Sequence, residues 1–216
     1  MTHVENLIEE FKTHQLMVAV RTETTEDAYN AAVACIEGGI RFIEITFSVP
    51  GADEVIRRLS KDKRVTVGAG TVLSTEDVRK ALHAGASYIV SPNFDEEVVK
   101  FTKKEGAMSI PGACTPTEVY RAYKGGGDII KLFPFVEIGG LGFLKAIRGP
   151  LPFVRYMLCG GATLENISKY LAADAAAILI GAAIIRRDLV AAKDWASIAG
   201  LARSFVGKVE GSRTKT

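Results

Sequence analysis

The sequence predicts an α/β protein built as a (β/α)8 barrel, and three observations point there. Short apolar runs alternate with longer segments that carry apolar residues at helical spacing. There are eight such runs, each starting about 20 to 26 residues after the last, and 216 residues divided by eight gives 27 per unit, within reach of this fold. Strands alternating with helices also imply a parallel sheet. A doubly wound open sheet shares that alternation and is the competing architecture.

The elements follow in order. Residues 1–12 place Glu5, Glu9 and Glu10 among Val4, Leu7, Ile8 and Phe11, an amphipathic helix rather than the basic start and apolar stretch of a signal peptide. The eight strands are expected at 16–21, 42–47, 66–72, 88–92, 108–113, 129–134, 154–160 and 175–183. Thr24 with Asp27, and Ser74 with Asp77, have capping-box spacing at helix starts. Gly38-Gly39, Gly85 and Gly106 are helix stops. Helical stripes run through Val55, Ile56 and Leu59, through Val78, Ala81 and Leu82, and more weakly through Val98, Val99 and Phe101. At 194–209, Trp195, Ile198, Leu201, Ala202, Phe205 and Val209 share one face of a packing helix, and the tail 211–216 is expected to fray. No linker interrupts the pattern, so 1–216 reads as a single domain.

Composition excludes several classes of function. Lysine plus arginine is 27 against 25 for aspartate plus glutamate, a net +2 that gives no drive toward nucleic acid or an anionic membrane. The longest apolar run, 175–185, is far shorter than the roughly 20 residues of a membrane-spanning helix. Cys35, Cys114 and Cys159 are odd in number and far apart, and His3, His14 and His83 have no zinc-ligand spacing, so neither a disulfide framework nor a metal site is expected. A reducing cytoplasm fits that usage. Gly68-Ala69-Gly70 lacks the rest of a dinucleotide fingerprint, and no Walker lysine follows a glycine run.

Polar residues inside apolar strands carry the chemical information, because the C-terminal strand ends of a barrel face its active-site mouth. Lys131 lies in Ile129-Ile130-Lys131-Leu132-Phe133-Pro134, on the face of Ile129 and Phe133. It reads either as a lysine snorkelling to solvent or as an amine whose pKa falls on desolvation, a nucleophile toward carbonyls. Glu44 shares a face with Phe42 and Thr46, and reads as a salt-bridge carboxylate or as the proton shuttle an imine needs. Arg21 ends the first strand and suits a carboxylate ligand, or is an exposed strand-end arginine. Before Thr71, Gly68-Ala69-Gly70 either lets a ligand approach the backbone or simply ends a strand tightly. The glycines after the last two strands, Gly160, Gly161 and Gly181, lie where barrels often bind phosphate through backbone N–H groups. Cys114 and Cys159 lie near strand ends, but no histidine stands in a comparable place to activate them.

Taken in order, Gly38-Gly39, Ile43-Glu44-Ile45-Thr46, Gly68-Ala69-Gly70-Thr71-Val72, Val90-Ser91-Pro92, Ile110-Pro111-Gly112, Thr115-Pro116-Thr117-Glu118, Lys131-Leu132-Phe133-Pro134 and Gly160-Gly161 resemble a known family. It is the bacterial 2-keto-3-deoxy-6-phosphogluconate and 2-keto-4-hydroxyglutarate aldolases, and the matching pieces span about residues 15 to 185. The resemblance implies a (β/α)8 barrel, a homotrimer, and class I aldolase chemistry without metal or cofactor in carbohydrate metabolism of the Entner-Doudoroff type. It implies Lys131 as the Schiff-base lysine and Glu44 as general acid/base. By the same match Thr71 contacts a pyruvyl carboxylate, and Pro92, Pro111 and Phe133 line the pocket. Some members carry a carboxylate-binding arginine four residues after the glutamate, where this chain has Ser48; others carry it at the end of the first strand, as Arg21 does.

Two positions depart from the family pattern. Cys159 stands where threonine is frequent and Ala182 where serine is frequent, so two hydroxyls toward a distal phosphate are missing. Backbone N–H groups of Gly160, Gly161 and Ala182 remain as donors. The expected reaction is reversible cleavage of a 2-keto-4-hydroxy acid to pyruvate and an aldehyde, with glyceraldehyde 3-phosphate or glyoxylate as the aldehyde. A sugar-phosphate isomerase using Glu44 as base, or a non-catalytic ligand-binding or assembly barrel, would use the same fold.

Overall fold

The computed structural model describes residues 2–213. Nine strands appear: β1 (Leu16–Val20), β2 (Phe42–Thr46), β3 (Thr66–Gly70), β4 (Tyr88–Val90), β5 (Met108–Ile110), β6 (Gly112–Ala113), β7 (Ile130–Leu132), β8 (Tyr156–Cys159) and β9 (Ala177–Ile180). Their order across the sheet is β5-β4-β3-β2-β1-β9-β8-β7-β6, and every pairing is parallel. The two outermost strands are consecutive in the chain and separated by Pro111 alone, so the sheet wraps into a nearly closed barrel. The run expected as one strand at 108–113 is therefore two, because proline has no N–H to give the ladder. Its carbonyl still serves, accepting the Lys131 N–H at 2.9 Å.

At this seam the edge of β5 is covered from within the chain. Ser109 N–H donates to the Asp128 carboxylate at 2.9 Å, Asp128 N–H donates back to Ser109 carbonyl at 2.9 Å, and Lys103 Nζ holds the same carboxylate at 2.6 Å.

Ten helices accompany the strands: α1 (His3–His14), α2 (Thr25–Glu37), α3 (Ala52–Leu59), α4 (Thr75–His83), α5 (Glu96–Lys104), α6 (Pro116–Lys124), α7 (Gly140–Arg148), α8 (Ile167–Leu171), α9 (Arg187–Ala191) and α10 (Trp195–Arg213). Thr24 and Ser74 cap α2 and α4 by accepting the Asp27 and Asp77 N–H groups. The stripe Val55, Ile56 and Leu59 is fully buried. Helix α10 runs on through 211–213, which corrects the expected fraying there; 214–216, like Met1, lies outside the described residues. Among the described residues no helix is long and apolar enough to cross a membrane.

Two cores result. The outer one joins outward strand residues such as Val18, Ile43, Ile45 and Ile178 to the apolar helix faces. The inner one fills the barrel with Met17, Phe42, Tyr88, Met108, Ile129 and Met157, and Leu7, Ile8 and Phe11 of α1 close its N-terminal end. Phe11 stacks 4.0 Å from Phe42 and meets Tyr88 edge-on at 5.3 Å. All eight strand runs are found, but each ladder stops short of the expected C-terminal boundary, except where β6 reaches Ala113. Arg21, Thr71, Pro92, Phe133, Gly160, Gly181 and Ala182 thus leave the sheet at the mouth. Local geometry explains several of these exits: Thr71 has φ +57°, Gly160 φ +98°, and Pro134 has no N–H.

Candidate active site

Period-two alternation sets the site directly above the apolar plug. On β2, Phe42 belongs to the plug, and the next inward residue is Glu44, 1% exposed. On the β7 run, Ile129 belongs to the plug, and the next inward residue is Lys131, 6% exposed. The snorkelling alternative for Lys131 therefore falls, since its side chain stays inside. The Lys131 ammonium lies 5.0 Å from the centre of the Phe133 ring, within cation–π range.

Glu44 and Lys131 are electrostatically coupled without forming a salt bridge. Burial pushes the Glu44 carboxyl above its ordinary 4.5, and the positive charges of Lys131 and then Arg21 oppose that rise. Its Oε2 is fully buried, with no hydrogen-bond partner. A buried carboxylate left unpaired carries a cost that structure alone does not offset, as expected of a group kept for chemistry.

At the mouth the structure brings Arg21 and Thr71 together across β1 and β3, with Arg21 Nη2 donating to Thr71 Oγ1 at 3.4 Å. Thr71 sits in the left-handed region, which a β-branched residue seldom adopts. Pro111 is drawn beside Lys131 by the bond from the Lys131 N–H. Pro92 packs on Gly112, where a methyl would meet its carbonyl oxygen at 2.2 Å.

One open alternative closes and one expectation needs correction. The space beside Gly68 and Gly70 is filled by protein rather than left for a ligand: a methyl at Gly68 would lie 2.1 Å from the Tyr88 ring, and one at Gly70 1.9 Å from Glu44 Oε1. The Gly160 N–H is not a free donor, because just past the end of β8 it is committed to the Leu179 carbonyl at 3.2 Å. The loop is otherwise held by its carbonyls. Tyr170 hydroxyl donates to Gly160 at 3.3 Å, Asn166 Nδ2 donates to Gly161 at 2.8 Å, and the Gly181 carbonyl accepts the Ile184 and Ile185 N–H groups at 3.0 Å each. Gly161 and Ala182 N–H remain without a partner among the described residues.

Cys159, which stands where threonine is frequent in the family, places its thiol inside the barrel, where burial raises it to about 11 against the pull of Lys131. Burial alone raises Cys35 to about 12, and a hydrogen bond to the Glu118 carboxylate, Sγ to Oε2 3.1 Å, raises Cys114. Thiols held protonated are poor nucleophiles. Sequence reasoning missed Tyr88, whose hydroxyl donates to the Ile43 carbonyl at 2.8 Å and whose ring floors the site beside Glu44. Inward alternation along β4 was the available signal. Among the described residues no group of three or more His, Cys, Asp or Glu is placed to hold a metal ion.

Comparison with known proteins agrees with this geometry. The family described as KDPG and KHG aldolase matches residues 7–201. The 2-dehydro-3-deoxy-phosphogluconate aldolase of Treponema pallidum is 34% identical over 88% of this chain and 90% of its own. The KHG/KDPG aldolase of Escherichia coli K12 is 33% identical over 84% and 85%. A solved KDPG aldolase from Legionella pneumophila, with pyruvate captured as a covalent carbinolamine intermediate, superposes with a TM-score of 0.83 at 27% identity, covering 90% of this chain and 95% of that one. With a barrel of this topology, a buried lysine and carboxylate on its inner face, and a family match across most of its length, the chain belongs to the KDPG and KHG aldolase family.

Proposed function

We propose that this protein is a class I aldolase that reversibly cleaves a 2-keto-4-hydroxy acid to pyruvate and an aldehyde through an imine on Lys131. The observation that carries the reading is the pairing of Lys131 and Glu44 inside one barrel, coupled in charge yet not bonded to each other.

The neutral Lys131 amine attacks the C2 carbonyl to form a carbinolamine, which loses water to give a protonated imine. The C3–C4 bond then breaks, its electron pair flowing into the imine to leave an enamine. Glu44 accepts the C4 hydroxyl proton as the aldehyde departs. The same carboxyl group returns a proton to C3, and hydrolysis of the imine frees pyruvate and Lys131. The raised affinity of Glu44 for protons suits a group that must both accept and donate. Arg21 and Thr71 hold the substrate carboxylate, and Pro92, Pro111 and Phe133 line the pocket. Gly161 and Ala182 N–H receive the distal end of the substrate, a phosphate when the aldehyde is glyceraldehyde 3-phosphate and a carboxylate when it is glyoxylate. The reading extends to a homotrimer, tested by sedimentation, and to a reducing cytoplasm, with which three free thiols are compatible.

The test is incubation with pyruvate, borohydride reduction and peptide mass spectrometry. A reduced pyruvyl adduct on Lys131 is expected. Folded protein that yields none removes the imine and returns the site to an isomerase or non-catalytic barrel.

A further inference from the structure

Glu44, Gly68 and Tyr88 form one row across three neighbouring strands. Glu44 pairs in register with Gly68 on β3, and the pairing of Ala69 with Ile89 sets Gly68 beside Tyr88 on β4. The Tyr88 ring lies over Gly68, with Cε2 where a methyl on that glycine would come within 2.1 Å, and its hydroxyl is tied to the Ile43 carbonyl. The row is therefore filled, and Glu44 turns along the barrel toward the mouth, over the next inward position, Gly70. There a methyl would meet three successive atoms of Glu44: Oε1 at 1.9 Å, Cδ at 2.3 Å and Cγ at 2.5 Å. Gly70 is not among the residues of positive φ, so its backbone does not demand glycine. What the position demands is space, and the space is taken by Glu44.

We infer that Gly70 is a positioning residue, whose missing side chain lets the Glu44 carboxylate lie against β3 on the mouth side of Tyr88 and so reach the substrate bound to Lys131. The inference rests on the imine reading above. It predicts that the rate of proton transfer at C3 depends on Gly70 and that the equilibrium amount of imine on Lys131 does not. In D2O, Glu44 removes a proton from the pyruvyl methyl of the imine, the C–H electrons form the enamine, and deuterium returns to C3. Exchange at C3 reports that step, and borohydride trapping on Lys131 reports the imine.

The experiment compares wild type with Gly70→Ala in both assays across pH, together with thermal unfolding. In Gly70→Ala, the adduct trapped after equilibration with pyruvate should stay within about threefold of wild type while C3 exchange falls about 100-fold, the scale of a misplaced catalytic group. Equal losses in the two assays, or no loss of exchange, would overturn the inference. Absence of trapping in the wild type overturns the imine reading itself, and is seen before any variant is made. Thermal unfolding supplies a second arm. Gly70→Ala should lower Tm when Glu44 is present and change it little in a Glu44→Ala background, where the added methyl meets no carboxylate. An equal drop in both backgrounds makes Gly70 merely structural. If the single variant fails to fold, the double variant should fold, and an unfolded double variant also overturns the inference.

Discussion

The two ends of the barrel are built from the same strands and do opposite work. At the N-terminal end Met17, Phe42, Tyr88, Met108, Ile129 and Met157 meet Leu7, Ile8 and Phe11 of the first helix, and water is shut out. One alternation step up, two residues or about 6.6 Å along each strand, Phe42 gives way to Glu44 and Ile129 to Lys131. The chemistry stands on an apolar floor, which deprives the two charges of solvent from below and raises the Glu44 carboxyl. The N-terminal end also has a cleft, lined by Lys12, Arg148, Arg155 and Asp174 among others, but no buried coupled pair. The proposed site is thus singled out by desolvated charge rather than by concavity.

The most severe way to break this division is at the upper end. Lys131→Ala should lose turnover by at least about 10⁴-fold and lose the pyruvyl adduct, while circular dichroism stays that of wild type.

Glu44→Gln should cost about 10²- to 10⁴-fold in kcat and, at the same time, stabilise the fold. The folded carboxyl has a pKa above the ordinary 4.5 of the unfolded chain, so the folded state holds a proton that the unfolded state has released. Wild-type stability therefore falls as pH rises from about 4.5 through the folded value, and the full cost is present above it. The Tm advantage of Glu44→Gln should be small below pH 4.5 and grow across that window. A constant advantage at all pH would sink this account.

Breaking the lower end should do the converse. Phe11→Ala, which empties the stack on Phe42, should destabilise by about 3–5 kcal/mol in denaturant titrations. Its KM at temperatures where it remains folded should stay near wild type.

Smaller effects sharpen the upper end. Arg21→Ala should raise KM for the keto acid about 10- to 150-fold, as expected for losing hydrogen bonds to a carboxylate, with kcat less affected. Cys159→Thr, which restores a hydroxyl beside the glycine loop, should favour a phosphorylated over a dicarboxylate substrate by about five- to tenfold in kcat/KM. No change in that ratio would mean that Cys159 only fills space.

Much of this division was legible in the sequence, and the gaps have physical causes. Glu44 and Lys131 stood out because a charge inside an apolar alternation must be bought back by pairing or by use. Tyr88 did not stand out, since a tyrosine within Tyr88-Ile89-Val90 looks like any core aromatic until register sets it beside Gly68. The glycines of β3 announced that something approaches closely, but composition cannot say whose atoms arrive. The first five strand starts fall where expected, while β7, β8 and β9 begin one or two residues later than the apolar character of the chain suggests. Strand ends were overrun at the mouth, where the chain keeps its apolar character after the ladder has stopped, as at Val72. The division at Pro111 is hidden in the sequence because the residues on both sides of the proline suit a strand.

That division has a consequence for how the protein behaves in a crowded solution. A sheet that ends at β5 and β6 has two edges, and a free edge invites strands from other molecules. Here the edge of β5 is covered by the stretch before β7: Asp128 takes the Ser109 N–H with its carboxylate and gives its own N–H to the Ser109 carbonyl, and Lys103 neutralises the charge it brings. Resistance to aggregation on partial opening thus depends on a two-residue clasp whose carboxylate sits at the entry to β7, and a change at Asp128 would be felt first as turbidity on heating.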